Sequence, residues 1–471
     1  MTEPAVTVEH IDPATLLVDV NIRTEATLDR DFLASIRDLG VLIPIVAVRT
    51  PDGALRVRHG HRRTLAAVHH GLPAVRVVVV GEDDADEVNR IVSQWHENEY
   101  RAGLSTADKL AAVEQLSLLG LSAGQIVKRT KASKTEVEHA LSANASALAK
   151  GAAERYEFLT LDQAAAVAEF ESDGDVVKAL VAGAKKSDGD FRHVVQRARD
   201  DREQAAQHTA LVEQLTGAGV RVIERPDYGD KTIRRVSALV GADDKRLTDA
   251  EHTTCPAHAV YIERTWQGVE GVAVCTDWRA QGHRDPSGAS SRPAGPMDEK
   301  AKAERRAVIV NNREWKSAET VRREWLTGLL ARKTPPKGAA IYVATELGHG
   351  PRPLSDAMAK ANSLAATLLG ADDRHSRQSV AALAAQASDQ RAQVIALGVV
   401  LGAIEAATGV HSWRNPGEAT QRYFAFLAAC GYVLSDVEEL AAGLTTNPRR
   451  DRRAGKRAQP DIRMTTDQAV A

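Results

Sequence analysis

LRVRHGHRRTLAAVHHG (residues 55–71) alternates apolar and basic residues through Leu55, Arg56, Val57 and Arg58, meets Gly60, and continues as a helix-like run from His61. Alternation with period two reads as a strand, and the run after the glycine reads as a helix. A glycine-centred turn that opens a helix presents main-chain N–H groups, and the helix dipole adds about half a positive charge there. Arg62 and Arg63 follow Gly60 directly and offer fork-shaped donors to phosphate oxygens. The turn therefore reads as a phosphate cradle. A solvated basic helix start has the same residues, and this motif alone leaves both readings open.

Upstream, DFLASIRDLG places Phe32, Leu33, Ile36 and Leu39 at helical spacing with Gly40 as a stop. PIVAVRT, the turn PDG and ALRVRH follow as strand, turn and strand. This predicts a small mixed α/β domain. Residues 84–205 read as helical almost throughout, punctuated by Gly103, Gly120 and Gly151, with Ser105, Ser122 and Ser133 as N-caps. Strand character returns in GVRVIERP, HAVYIER and GVAVCTD, and a Ser/Pro/Gly-rich loop closes that section near residue 298. The expected divisions are 1–103, 104–205, 206–298, a helical region 299–445 and a basic tail 446–471.

The 471 residues are 26% charged and 43% hydrophobic, enough for about three cores at ~150 residues each. The formal net charge of −2 means that nucleic acid would be bound through local patches rather than a globally basic surface. The beginning of the sequence lacks a basic segment followed by an apolar one, and no apolar run approaches the roughly 20 residues needed to cross a bilayer. Cys255, Cys275 and Cys430 are too few and scattered for a disulfide framework. The expectation is a cytoplasmic protein with no membrane contact, associated with nucleoid or plasmid DNA.

Two further elements carry chemistry. In QWHENEYRAGLST (residues 94–106), Glu97 and Arg101 at i and i+4 share a helix face, with Asn98 beside them. That puts a carboxylate suited to a divalent cation and a guanidinium suited to phosphate on one side, although a surface ion pair has the same spacing. In LSAGQIVKRTKASKTEVEHALSAN (residues 121–144), Ile126 and Val127, a tight turn at Lys131–Ser133, then Val137 and Leu141 give a helix-turn-helix pattern. Lys134, Thr135, Glu136, Glu138 and His139 would line the exposed face of its second helix. Lys128, Arg129, Lys131, Ser133, Lys134, Thr135 and His139 are the candidate DNA contacts.

In this order the elements resemble the ParB family of DNA-partition proteins, CTP-dependent clamps, over about residues 8–200. NIR (residues 21–23), SIRDLGVLIPIVAV, GHRRTLAA and ENEYR resemble the family's boxes, and the helix-turn-helix follows at the expected distance. The resemblance implies a ParB/sulfiredoxin-like α/β fold followed by an all-α DNA-binding domain, acting as a homodimer on a centromere-like double-stranded site, with a ParA-type ATPase as candidate partner. It implies that Gly60, Arg62, Arg63, Thr64, Asn98 and Arg101 hold CTP and that Glu97 and Asn98 hold Mg2+. His61 stands where the family has a glutamate associated with hydrolysis, so any CTPase activity, with His61 and Glu97 as its catalytic residues, is expected to be weak. Ile43 replaces a frequent glutamine near the base side of the pocket, which leaves cytosine selectivity open. Sulfiredoxin chemistry needs a cysteine in this loop, and none precedes position 255. A nucleotide-independent transcriptional regulator and a ParB-fold small-molecule kinase are the alternatives on the same fold.

Beyond the resemblance, Cys255 and His258 in CPAH, with Cys275 and His283 in CTDWRAQGH, flank a hairpin expected to turn near Gln267 and Gly268. The hairpin would bring the four together as a Zn2+ site, with His252 able to replace either histidine. Arg449, Arg450, Arg452, Arg453, Lys456 and Arg457 read as a tail touching phosphates nonspecifically. Trp315, Trp325 and Phe426 read as core of the helical region, whose default role is dimerisation or partner binding.

Overall fold

A computed structural model describes residues 6–18, 28, 30–82, 87–227, 230–241, 243–265, 268–286 and 299–444. The NIR stretch at 21–23, Gln267 and the basic run at 449–457 lie outside the described residues, and so does the side chain of Arg101. The chain divides into two compact units, Met1–Ser187 and Asp188–Ala471.

The first unit opens with a four-stranded sheet and its helices: β1 (Val6–Ile11), α1 (Arg30–Leu39), β2 (Ile45–Arg49), β3 (Leu55–His59), α2 (His61–His69), β4 (Val75–Glu82) and α3 (Glu87–Ala102). The sheet order is β1-β4-β2-β3; β2 runs parallel to β4, and the other two pairings are antiparallel. Alternation in β4 sends Val75, Val77 and Val79 into a core with Ile45, Ala47, Leu55, Val57 and Ala67. Six helices follow: α4 (Thr106–Leu118), α5 (Ala123–Thr130), α6 (Lys134–Asn144), α7 (Ala147–Arg155), α8 (Leu161–Glu169) and α9 (Gly174–Lys186). Fully buried Ala112, Ala140, Ala143 and Ala164 let α4, α6 and α8 approach closely.

The second unit begins with α10 (Asp188–Gly217), a continuous helix across the boundary expected at 205. No proline interrupts it, and the division between the two compact units falls before Asp188. Then come β5 (Val222–Ile223), β6 (Arg234–Arg235), α11 (Asp249–His252), β7 (His258–Thr265) and β8 (Gly268–Cys275), in a sheet of order β5-β7-β8-β6. The expected hairpin is β7–β8, antiparallel from His258↔Cys275 to Thr265↔Gly268. Eight helices complete the unit: α12 (Glu299–Leu330), α13 (Ala339–His349), α14 (Arg352–Ala359), α15 (Ser363–Leu368), α16 (Ser376–Ala385), α17 (Asp389–Ala407), α18 (Glu418–Ala429) and α19 (Asp436–Ala441).

Trp315 and Phe426 are buried in the core of this helical region, and Trp325 packs against it. Helix α17 is long and apolar enough by composition to cross a membrane, with its longest uninterrupted apolar run confined to residues 394–404, and it lies at the centre of this core. Gly402 makes that possible, because a Cβ there would stand 2.6 Å from the Ala365 Cα in α15. The same helix carries Glu405, fully buried, which accepts from Arg322 Nε at 2.7 Å and Nη2 at 3.0 Å. Arg322 Nη1 also donates to buried Glu438 at 2.5 Å, while the hydroxyls of Tyr423 and Tyr432 donate to Glu405 and Glu438.

Removing this cation takes away the guanidinium shared by two buried carboxylates, while Glu405 retains the bond from Arg323 Nε at 3.2 Å. Arg322→Met is expected to destabilise the second unit by about 3–5 kcal/mol. Urea unfolding followed by circular dichroism measures this, and a loss below about 1 kcal/mol would show that the carboxylates find other compensation.

Candidate functional site

A single residue, Gly60, separates the end of β3 from the start of α2, and its φ of +105° lies in the left-handed region. A Cβ at this position would also stand 3.2 Å from Arg63 Nη2 and 3.4 Å from Ile45 Cγ1. The turn therefore needs glycine both for its backbone and for its surroundings. Gly60 contributes no capping side chain, so an anion arriving at the helix start meets main-chain donors of its first turn.

The residues after Gly60 divide by helix face. His61 and Thr64, three apart, are buried. The Thr64 hydroxyl donates to the Gly60 carbonyl at 3.2 Å and so stiffens the turn. His61 is likewise on the inner face, 6% exposed. Arg62 and Arg63 are half-buried. Arg62 lies over the Phe32 ring of α1, 4.6 Å from its centroid. Arg63 Nη1 donates to the carbonyls of Ile43 (2.5 Å) and Pro44 (2.8 Å), tying the start of α2 to the segment entering β2. Ile43 itself is exposed.

Helix α3 brings the ENEYR residues to the same place. Glu97 Oε2 pairs with Nδ1 of His59, the residue immediately before Gly60. Asn98 is half-buried beside it on α3. One carboxylate and one amide oxygen suit a hard cation such as Mg2+, which takes its remaining oxygens from phosphate and water. A glycine turn at a helix start, two neighbouring guanidiniums and this donor pair fit a magnesium-bound nucleotide. His59 lay within the quoted stretch, but its partner is 38 residues away and nothing local signals the pairing.

Helices α5 and α6 follow one another across the short turn at residues 131–133. Ser105 caps α4, while Ser122 and Ser133 cap α5 and α6 through reciprocal boxes with Gln125 and Glu136. Glu136 is thereby drawn into the cap. The Ser133 main-chain N–H donates to it at 2.9 Å, and this bond, with the Ser133 hydroxyl and Lys109 adding to it, holds the carboxyl below its usual range. Lys131 ends α5 in the left-handed conformation, φ +60°. Ile126, Val137 and Ala140 face inward, and Lys128, Arg129, Lys131, Ser133, Lys134 and Thr135 are exposed. His139 is half-buried, and Lys134 pairs with Glu138 at 3.6 Å. Arg129 donates to Asn89 of α3 at 3.0 Å, and His96 of α3 contacts the Arg129 carbonyl, so α3 and α5 are joined directly.

In the second unit, His252, Cys255, Cys275 and His283 offer ligand atoms within 4.8 Å of one another. His258, expected among the ligands, is not in this group; its Nδ1 lies 2.9 Å from Nδ1 of His252. The reason is geometric. Main-chain bonds Cys255→His252 and His258→Cys255 wind residues 252–258 into successive turns, and β7 starts at His258 itself, already paired with Cys275.

No family model matches the chain. The chain is 29% identical over 140 residues to a probable chromosome-partitioning protein ParB from Treponema pallidum (strain Nichols), covering 29% of this chain and 42% of that relative's length. Among solved structures, similarity extends to C-terminally truncated ParB from Caulobacter crescentus complexed to the centromeric parS site (21% identity, 37% of this chain and 92% of that one, TM-score 0.28). The same truncated protein complexed with CTP-γ-S gives 24% identity over 38% and 98%, with a TM-score of 0.18. A pNOB8-like ParB N-domain gives 16% identity over 41% and 89%, with a TM-score of 0.30. Scores this low add no weight to the geometry.

Two substitutions test the α5–α6 turn on its own terms. Ser133→Ala is expected to cost about 1 kcal/mol through loss of the cap. Lys131→Gly is expected to stabilise by roughly 1 kcal/mol, because glycine adopts a positive φ without the Cβ penalty. Thermal denaturation of the two variants checks both signs.

Proposed function

From the chain's relationship to ParB over part of its length, we propose that it is a ParB-like DNA-binding protein that uses CTP and Mg2+ to close around DNA after loading at a specific site. The observation that carries the reading is the Glu97–His59 pair, which holds the ENEYR helix against the residue preceding the Gly60 turn. Arg62, Arg63 and the start of α2 would hold the triphosphate, and Glu97 with Asn98 the magnesium ion. When bound, the nucleotide supplies a polyanion that favours whichever conformation gathers these groups. Arg63 matters twice in this account: its bonds to Ile43 and Pro44 link any change at the turn to the β2 entry.

The DNA surface would be the start of α6 and the turn before it, where Lys128, Lys131 and Lys134 stand exposed. Because α3 contacts α5 through Arg129, nucleotide and DNA would bias a shared element, and their affinities would be linked. The inward position of His61 supports slow hydrolysis, since a buried imidazole replaces a carboxylate at the helix start.

Calorimetry with CTP, ATP and GTP, with and without plasmid DNA, separates this reading from its rivals. CTP binding that depends on Mg2+ is expected, and Arg62→Ala should weaken it by about 2 kcal/mol. DNA binding with no nucleotide bound would instead identify a plain regulator, and ATP consumption without DNA binding a small-molecule kinase. Lys134→Ala should reduce both DNA affinity and its salt slope, by about one unit in the slope. Phosphate release from CTP, measured beside His61→Glu, should be slow in the natural chain and faster in the variant.

A further inference from the structure

We propose that His252, Cys255, Cys275 and His283 form a structural zinc site that fastens the base of the β7–β8 hairpin, with His258 as the residue that positions His252. The donor set is two thiols and two imidazoles, a combination that selects zinc over magnesium or calcium. Sulfur and nitrogen ligands of a tetrahedral zinc, at ~2.3 and ~2.0–2.1 Å from the metal, lie about 3.6 Å apart. Cys255 Sγ and His283 Nε2 are 3.7 Å apart.

An independent observation points the same way. Nε2 of His252 is buried, in a residue only 2% exposed, and has no hydrogen-bond partner. An orphaned buried nitrogen is costly unless something occupies its lone pair. Its other nitrogen, Nδ1, faces Nδ1 of His258 at 2.9 Å. If His252 donates there, its Nε2 carries the lone pair a metal needs, and His258 fixes both tautomer and ring direction.

The backbone explains why four segments converge. The register His258↔Cys275 places Cys255 next to the end of β8. Arg284 pairs with Val240 through bonds of 2.8 and 3.0 Å, which returns His283 to the same spot. His252 ends α11, started by a Thr248–Glu251 capping box. Four protein ligands leave no open position, so the role is structural and not catalytic. The apolar contacts here are modest: the sheet's buried clusters hold three residues each. A unit with so little core is the kind that a metal stabilises.

The test uses the full chain purified without chelator. Elemental analysis is expected to find about one zinc per chain, and replacement by Co2+ is expected to give the intense visible bands of a tetrahedral thiolate site. Hydrogen exchange across β7 and β8 should rise when the metal is stripped. His252→Ala and Cys275→Ser should lose the metal, Cys430→Ser should keep it, and His258→Gln should bind it about 10–100-fold more weakly while retaining the tetrahedral Co2+ spectrum. Should the ligand variants fail to fold, the cobalt spectrum of the unaltered chain still decides. Below about 0.1 metal per chain with freely titrating Cys255 and Cys275 thiols, or with those two joined as a disulfide, the proposal is wrong. Loss of metal in His258→Gln together with full retention in His252→Ala would overturn the assignment of ligands.

Discussion

Passing from strand to helix across one residue requires a backbone conformation that side chains rarely tolerate, and Gly60 supplies it at φ +105°. The first turn of α2 depends on that geometry: Arg62 reaches Phe32, Arg63 reaches the carbonyls before β2, and Thr64 bonds back to Gly60 itself. His59 meets Glu97 from the other side of the glycine. A side chain at residue 60 would strain the backbone and press on the Arg63 guanidinium together. Three separate segments would then lose their common reference point. This is why the turn, and not the basic charge around it, is the organising feature of the site.

The helical half of the first unit is controlled by a different economy of small residues and caps. Alanines at the α4, α6 and α8 contacts bring helix axes close without needing large side chains to interlock. Serine caps then fix where each helix starts, to within a residue. The cost falls on the polar face of α6. Glu136 is engaged by its cap and by Lys109, and Lys131 and Lys134 stand exposed at the helix start. The end of α6 where the helix dipole already favours phosphate is thus also the end where cations are presented.

Local signals were legible in the sequence, and pairings between distant segments were not. The strand–glycine–helix turn, the three serine caps and the β7–β8 hairpin are written in period and in turn chemistry, which act over a few residues. Residues Arg322, Glu405 and Glu438 gave no such signal. Arg322 and Glu438 lie in stretches rich in charge and Glu405 is a lone acid in an apolar helix, and only the fold, across separations of 83 and 116 residues, turns them into a buried network. Thr64 shows the same limit at short range: its motif names the residue, while its burial and its bond to the Gly60 carbonyl appear only in the folded turn. The helical pattern read as far as residue 205 continues in α10 to Gly217, with no proline to stop it.

The second unit joins two very different solutions to the same problem of buried polar groups. In the helical core, Arg322 sits between two carboxylates and over the faces of Trp315 and Phe424, with tyrosine hydroxyls taking up further acceptor sites. Every charged group there has a protein partner, so the network closes on itself. Around β7 and β8 the polar atoms are equally gathered but do not close. Burial holds the His252 imidazole down at about 4, with His258 and His283 adding to the effect, and raises the Cys275 thiol to about 11. These groups crowd one another, with the Nε2 of His252 left over. Buried atoms without a partner occur in both clusters, Nε1 of Trp315 in the one and Nε2 of His252 in the other, so the difference lies in chemistry: carboxylates and a guanidinium neutralise one another, whereas gathered thiols and imidazoles are ligands for a metal ion.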